Sequence, residues 1–170
     1  TETARAIHRA VASSAKPAAP LLAETGGLNA MIVDSTALLE RAADDIVASA
    51  FRSAGQRCSS LRMLYVQEDI FEPLVGVIRG AAEALRIGDP GDPAVDMGPV
   101  IDADAKAAID THVAAARAAG RLVWQGAAPE GLFCAPAIIR VSGIADLARE
   151  VFGPVLHIAP YPAGGEADVI

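Results

Sequence analysis

Two spacings of apolar residues run through the chain. In DSTALLERAADDIVASAF, residues 34–51, Leu38, Leu39, Ala42, Ile46, Val47 and Ala50 recur at helical period, and Asp34, Ser35 or Thr36 stands where a cap belongs. The same period predicts helices over 1–15, 69–85 and 102–120. The first places Ala4, Ile7, Ala10 and Val11 on one face with Thr1 as its cap. The second carries Pro73 in its first turn, where a missing N–H is tolerated, and the third stops at Gly120, which suits a left-handed residue. The second spacing is the short, continuously apolar run. LLAE (21–24), NAMIVD (29–34), SLRMLYV (60–66) and VLHIAPY (155–161) predict buried strands, and RLVWQG (121–126) and FCAPAIIRV (133–141) predict strands or extended pieces. DLAREVFGP (146–154) predicts a short helical turn ending at Gly-Pro, while KPAAP, TGG, SAGQRC and GDPGDPAVDMGP are breaks.

Strands alternating with helices, several of them apolar throughout, give an α/β chain with a mostly parallel sheet covered by helices on both faces. No internal repeat or low-complexity linker interrupts it. A length of 170 residues is enough for one domain with its own core. The net charge of −7, with both signs interspersed, excludes the basic stripe of a nucleic-acid surface and the polybasic patch of a membrane surface. No apolar run approaches the roughly 20 residues that span a bilayer. The chain opens on a helical pattern without Met and stops on Ile170, so it reads as a piece of a longer protein.

Candidate chemistry is sparse. The two cysteines, Cys58 and Cys134, form no CxxC pair and follow no secretory signal, which favours reduced thiols in a cytoplasmic protein. His8, His112 and His157 lack ligand spacing, and no metal site is expected. Cys58 follows a Gly55-Gln56 turn that presents side chains, and Arg52, Arg57 and Arg62 lie near it in sequence, where positive charge favours a thiolate; a buried structural cysteine is the alternative. Glu24 ends an apolar run before two glycines. A carboxylate at the end of a buried parallel strand is placed to be desolvated into a base, and a solvated strand end is the alternative. Glu150 and Phe152 precede a Gly-Pro turn and by themselves say little.

Together these segments resemble the aldehyde dehydrogenase superfamily. AETGGLNA resembles its glutamate signature, FRSAGQRC its Phe-x-x-x-Gly-Gln-x-Cys signature, and EVFGPV its Glu-x-Phe-Gly-Pro-Val motif; MGPVID resembles its Gly-Pro stretch. Ser60 departs from the Ala, Gly, Cys or Asn usual two residues after the nucleophile. LLAETGGLNAMIVDSTALLE and SAFRSAGQRCSSLR are most similar to the glutamate-semialdehyde dehydrogenase part of bacterial bifunctional proline-utilisation proteins.

That resemblance implies a cytoplasmic, NAD-dependent oxidation of L-glutamate γ-semialdehyde to L-glutamate through a thioester. Cys58 is then the nucleophile and Glu24 the general base. Glu150 and Phe152 would meet the nicotinamide riboside, with the Thr25 and Gly26 backbone beside its amide, and Ser59 and Arg57 would meet the substrate. Residues 1–23 would be the tail of a dinucleotide-binding domain and 24–170 a truncated catalytic domain. The implied partners are the aldehyde, the rest of the parent chain and further copies of it. The parent would associate peripherally with a membrane, and FAD would belong only to an attached proline dehydrogenase domain. The resemblance also implies that these 170 residues alone are inactive. Another NAD(P)-dependent aldehyde dehydrogenase, a CoA-acylating one or a non-catalytic module of the same fold are the alternatives; Glu24 speaks against the second and Cys58 with Glu24 against the third.

Overall fold

The computed structural model describes residues 2–14 and 19–169. Helix α1 is Glu2–Ala12 and carries no buried residue. Thr1 and most of the KPAAP break lie outside the described residues. Strand β1 is Ala30–Val33, α2 Leu39–Phe51, β2 Met63–Gln67, α3 Phe71–Glu83, α4 Ala103–Ala118, β3 Leu122–Gln125, β4 Ala137–Arg140, β5 Val155–Tyr161 and α5 Glu166–Val169.

The strands form one sheet in the order β1-β2-β5-β4-β3. β2 pairs in parallel with β1 and β5, β5 pairs in parallel with β4, and only β3 runs antiparallel, against β4. Every residue of β2 is buried, as is nearly all of β5. Successive side chains of a strand face opposite ways, so burial of both sets means that both faces are covered. On one face His157 of β5 meets His112 of α4. Its neighbours Leu156 and Ile158 turn to the other face and are fully buried, like Ile46 and Phe51 of α2 and Leu74 and Ile78 of α3. Edge strand β1 is half open, and of its residues only Val33 is buried.

Local chemistry sets the element ends. Asp102 caps α4, its carboxylate accepting from the Ala105 N–H at 2.8 Å, and Gly120 follows with φ +68°. Pro73 sits in the first turn of α3.

Three sequence expectations are corrected. Residues 21–24 form no strand: Leu22 is 95% exposed, because this run is short and no neighbouring strand pairs with it. The cap expected at residues 34–36 is an Asx turn instead. Asp34 Oδ1 accepts from the Thr36 N–H and hydroxyl, and the helix begins only at Leu39 with no side-chain cap. Of residues 146–154 only Asp146 is helical, as the end of the three-ten turn Ile144–Asp146; the rest is an irregular passage into β5.

Candidate active site

The Cys58 turn begins where α2 ends. Ser53, Ala54 and Gly55 have φ of +57°, +51° and +65°, three consecutive residues in the left-handed region. Two of them carry a Cβ that this region disfavours, so the surroundings must hold the shape. Gln56 does much of this. Its N–H donates to Ser53 O at 3.0 Å, its Nε2 donates to Pro99 O at 3.2 Å, and its Oε1 accepts from the Ile101 N–H at 2.8 Å. Gly55 lies so close to the Gly153 carbonyl that no Cβ would fit.

Beyond this turn Cys58 and Ser59 are exposed, with Cys58 a free thiol. Arg57 turns back: its Nη2 donates to Ala48 O at 2.9 Å and Ser49 O at 3.3 Å, carbonyls in the last turn of α2. Ser60 is fully buried, and its Oγ has no partner among the described residues. Where the family pattern has a small or amide side chain, this chain buries an orphan hydroxyl.

Behind the turn stands Arg62, fully buried in an otherwise apolar run. Its Nε and Nη2 reach Glu150 Oε1 at 3.0 and 2.9 Å, Nη1 donates to Gly153 O at 3.1 Å, and Nη2 donates to Arg57 O at 3.2 Å. Phe152 lies over the guanidinium at 5.2 Å and is 45% exposed. Burial lowers the Arg62 pKa, and the Glu150 carboxylate works against that shift. The charge is therefore paired with Glu150, rather than being a free cation beside the thiol. Glu150 Oε2 also accepts from the Gly27 N–H at 3.2 Å, and Gly26, at φ +46°, passes so near that oxygen that a Cβ would collide with it. Arg62 and Glu150 thus join the cysteine turn, the Gly-Pro turn and the glycine pair.

Glu24 and Thr25 are exposed and line, with Gly26, Gly27, Glu150 and Ile7, a cleft of about 760 Å³ between α1 and the glycine turn. Cys58 does not line it, and no hydrogen bond joins the Cys58 and Glu24 side chains among the described residues. The buried strand end expected to desolvate Glu24 is not formed. Phe152, Ser53 and Gln56 border a separate apolar hollow of about 770 Å³.

Sequence spacing gave no sign of the histidine pair. His112 Nε2 and His157 Nε2 are 2.9 Å apart, and His157 Nδ1 lies 3.0 Å from Arg62 O. A carbonyl only accepts, so Nδ1 carries the hydrogen and Nε2 accepts from His112. Burial, only partly offset by the Arg62 carbonyl, lowers the His157 pKa to about 4. The pair is a neutral strut beneath Arg62. Cys134 is buried, and that burial raises its thiol pKa. Among the described residues no three His, Cys, Asp or Glu side chains gather as metal ligands, and no helix is long and apolar enough to cross a membrane.

Two further roles escaped the sequence reading. Asn29 donates from Nδ2 to Cys58 O at 2.7 Å and to Ser60 O at 2.9 Å. Arg62 as the partner of Glu150 was legible in principle, since an arginine inside an apolar run must be paired.

Comparison with known proteins gives this geometry a context. The aldehyde dehydrogenase family profile matches residues 1–170. The chain is 46% identical to the bifunctional protein PutA of Salmonella typhimurium, over all of this chain and 14% of that one. It is 36% identical to the 1-pyrroline-5-carboxylate dehydrogenase of Geobacillus kaustophilus, over 82% of this chain and 28% of the relative. A crystal structure of bifunctional proline utilization A superimposes with a TM-score of 0.94 at 52% identity, covering 99% of this chain and 17% of the other. The chain thus spans about a seventh of the Salmonella protein.

Proposed function

Since the chain belongs to the aldehyde dehydrogenase family, we propose that it supplies the nucleophile and general base for NAD-dependent oxidation of L-glutamate γ-semialdehyde to L-glutamate. The observation that carries this reading is the exposed Cys58 thiol, which follows a left-handed turn braced by Gln56 and packed against the Gly153 carbonyl, with its own carbonyl held by Asn29. The substrate choice rests on the resemblance to PutA and to 1-pyrroline-5-carboxylate dehydrogenase, each far longer than this chain.

The residues present fit the nicotinamide riboside end of a dinucleotide. Phe152 offers a flat, half-open ring backed by a cation, and Glu150 retains lone pairs beyond those given to Arg62 and Gly27, which suits ribose hydroxyls. The Thr25–Gly26 backbone borders the cleft that Glu150 lines. When bound, the nicotinamide ring supplies the hydride acceptor.

In this mechanism the Cys58 thiolate adds to the aldehyde carbon, forming the S–C bond and moving the carbonyl electron pair to oxygen. After oxidation the acyl group remains on Cys58 as a thioester. Glu24 takes a proton from water as that water attacks the acyl carbon; the C–S bond breaks, thiolate returns, and the carboxylate product leaves. Ser59, exposed beside Cys58, would meet the substrate carboxylate. In this reading Arg57 acts at longer range, since its guanidinium holds α2. Residues 1–23 then belong to a dinucleotide-binding domain and 24–170 to the catalytic one. The rest of the parent chain, in oligomeric form, completes the site.

The test is NADH formation, followed by absorbance, from L-glutamate γ-semialdehyde by the full-length protein that contains this segment. Cys58→Ala should abolish it, and Glu24→Gln should stall after one turnover with the acyl group on Cys58. Equal or faster turnover of an unrelated aldehyde would overturn the substrate assignment.

A further inference from the structure

We propose that Asn29 is a positioning residue for the nucleophile, with its carboxamide fixing the Cys58–Ser59 arch against the segment that carries Glu24. This rests on the proposed function for its catalytic meaning and on the geometry alone for its structural meaning. Asn29 Nδ2 donates one hydrogen to Cys58 O at 2.7 Å and the other to Ser60 O at 2.9 Å. Two carbonyls two residues apart thus converge on one nitrogen. The chain between them must bow away from Asn29, and Cys58 and Ser59 are accordingly exposed while Ser60 is buried.

The backbone of Asn29 closes the loop from the other side. Its carbonyl accepts from the Arg62 N–H at 3.0 Å and the Met63 N–H at 3.1 Å. Residues 58–63 are therefore held to one residue by four hydrogen bonds, and that residue lies five positions after Glu24 (29 − 24). Between Glu24 and Asn29, the Gly27 N–H is held by Glu150. The distance from base to nucleophile is set through this short piece of chain.

Asn29→Asp is the sharpest variant, because it keeps the shape and replaces both donors by an oxygen that repels the two carbonyls. Asn29→Ser restores one donor and should recover part of the loss. In the full-length protein, two rates are measured: kcat with the semialdehyde, and acylation of Cys58 by p-nitrophenyl acetate, in which the thiolate takes the acetyl group and releases p-nitrophenolate without any dinucleotide. We expect Asn29→Asp to lower both by about tenfold, in line with the cost of misplacing a reacting group. KM for NAD should stay within about twofold, since Glu150 and Phe152 are untouched. Alkylation of buried Cys134 should remain slow, which separates a local shift from general loosening. If Asn29→Asp fails to fold, Asn29→Ser carries the same comparison with a smaller loss.

The proposal is overturned if the folded variants acylate Cys58 at the wild-type rate, or if KM for NAD and Cys134 labelling change as much as the Cys58 rate. A wild-type protein that makes no NADH from the semialdehyde would defeat the proposed function, while the acylation rates would still decide the role of Asn29.

Discussion

The turn bearing Cys58 and the segment bearing Glu24 are unequally built. Gln56, Asn29, Arg62 and the Gly153 carbonyl hold the turn from several sides, and its base is buried. Residues 21–26 are exposed, and among the described residues the nearest side-chain tie is that from the Gly27 N–H to Glu150. The geometry of Cys58 is therefore a property of this core, while that of Glu24 depends on its short connection to Asn29. One of the two segments is packed like an interior and the other is laid on the surface.

The comparison breaks most severely at Arg62. Arg62→Met leaves Glu150 and the Gly153 and Arg57 carbonyls without their donor, and removing one member of a buried pair costs about 3–5 kcal/mol. Denaturant unfolding should show that loss, whereas Glu24→Gln, on the open side, should move the midpoint by less than about 0.5 kcal/mol.

Acid should reach the packed half next. The folded-state pKa of His157 lies at about 4, below its ordinary 6.5, chiefly because of burial. The unfolded chain therefore takes up a proton before the folded one does. Its contribution is complete above about pH 6.5 and fades as pH falls towards 4, with an upper bound on the order of 3 kcal/mol. Unfolding midpoints that stay constant between pH 7 and 4.5 would refute the neutral strut.

The smallest effect contrasts two glycines. Gly55→Ala drives a Cβ into the Gly153 and Ala50 carbonyls, which are fixed backbone, at φ +65°. Gly26→Ala meets only the end of the Glu150 side chain, at φ +46°. Both should destabilise, Gly55→Ala by about 2 kcal/mol or more and Gly26→Ala by about 1. Equal midpoints would mean that the two halves are held alike.

Much of this architecture was legible because the runs of β2 and β5 are apolar but for Gln67 and His157, and only central strands covered on both faces can be so nearly apolar. The same rule misled at Leu21-Leu22-Ala23, where an apolar run has no partner and lies open. Asp34 looked like a cap and made a turn, because the two uses of its carboxylate differ only in where the backbone goes next. The motif residues Cys58, Glu24, Glu150 and Phe152 could be picked out by resemblance, but their ties could not. Arg62 meets Glu150 across 88 residues and His112 meets His157 across 45, so neither pair exists until the sheet order is known.

The sheet order has a consequence in time. β5 is the last of the described strands in chain order, yet it lies in the middle of the sheet, between β2 and β4. The segment just before it brings Glu150 and Gly153, which clamp Arg62 and the cysteine turn. Contacts this distant in sequence close late, after the local helices have formed. Until β5 is seated, Cys58 is a thiol on an unshaped loop. Insertion of β5 sets the shape of the Cys58 turn, so a half-folded chain does not carry that turn finished.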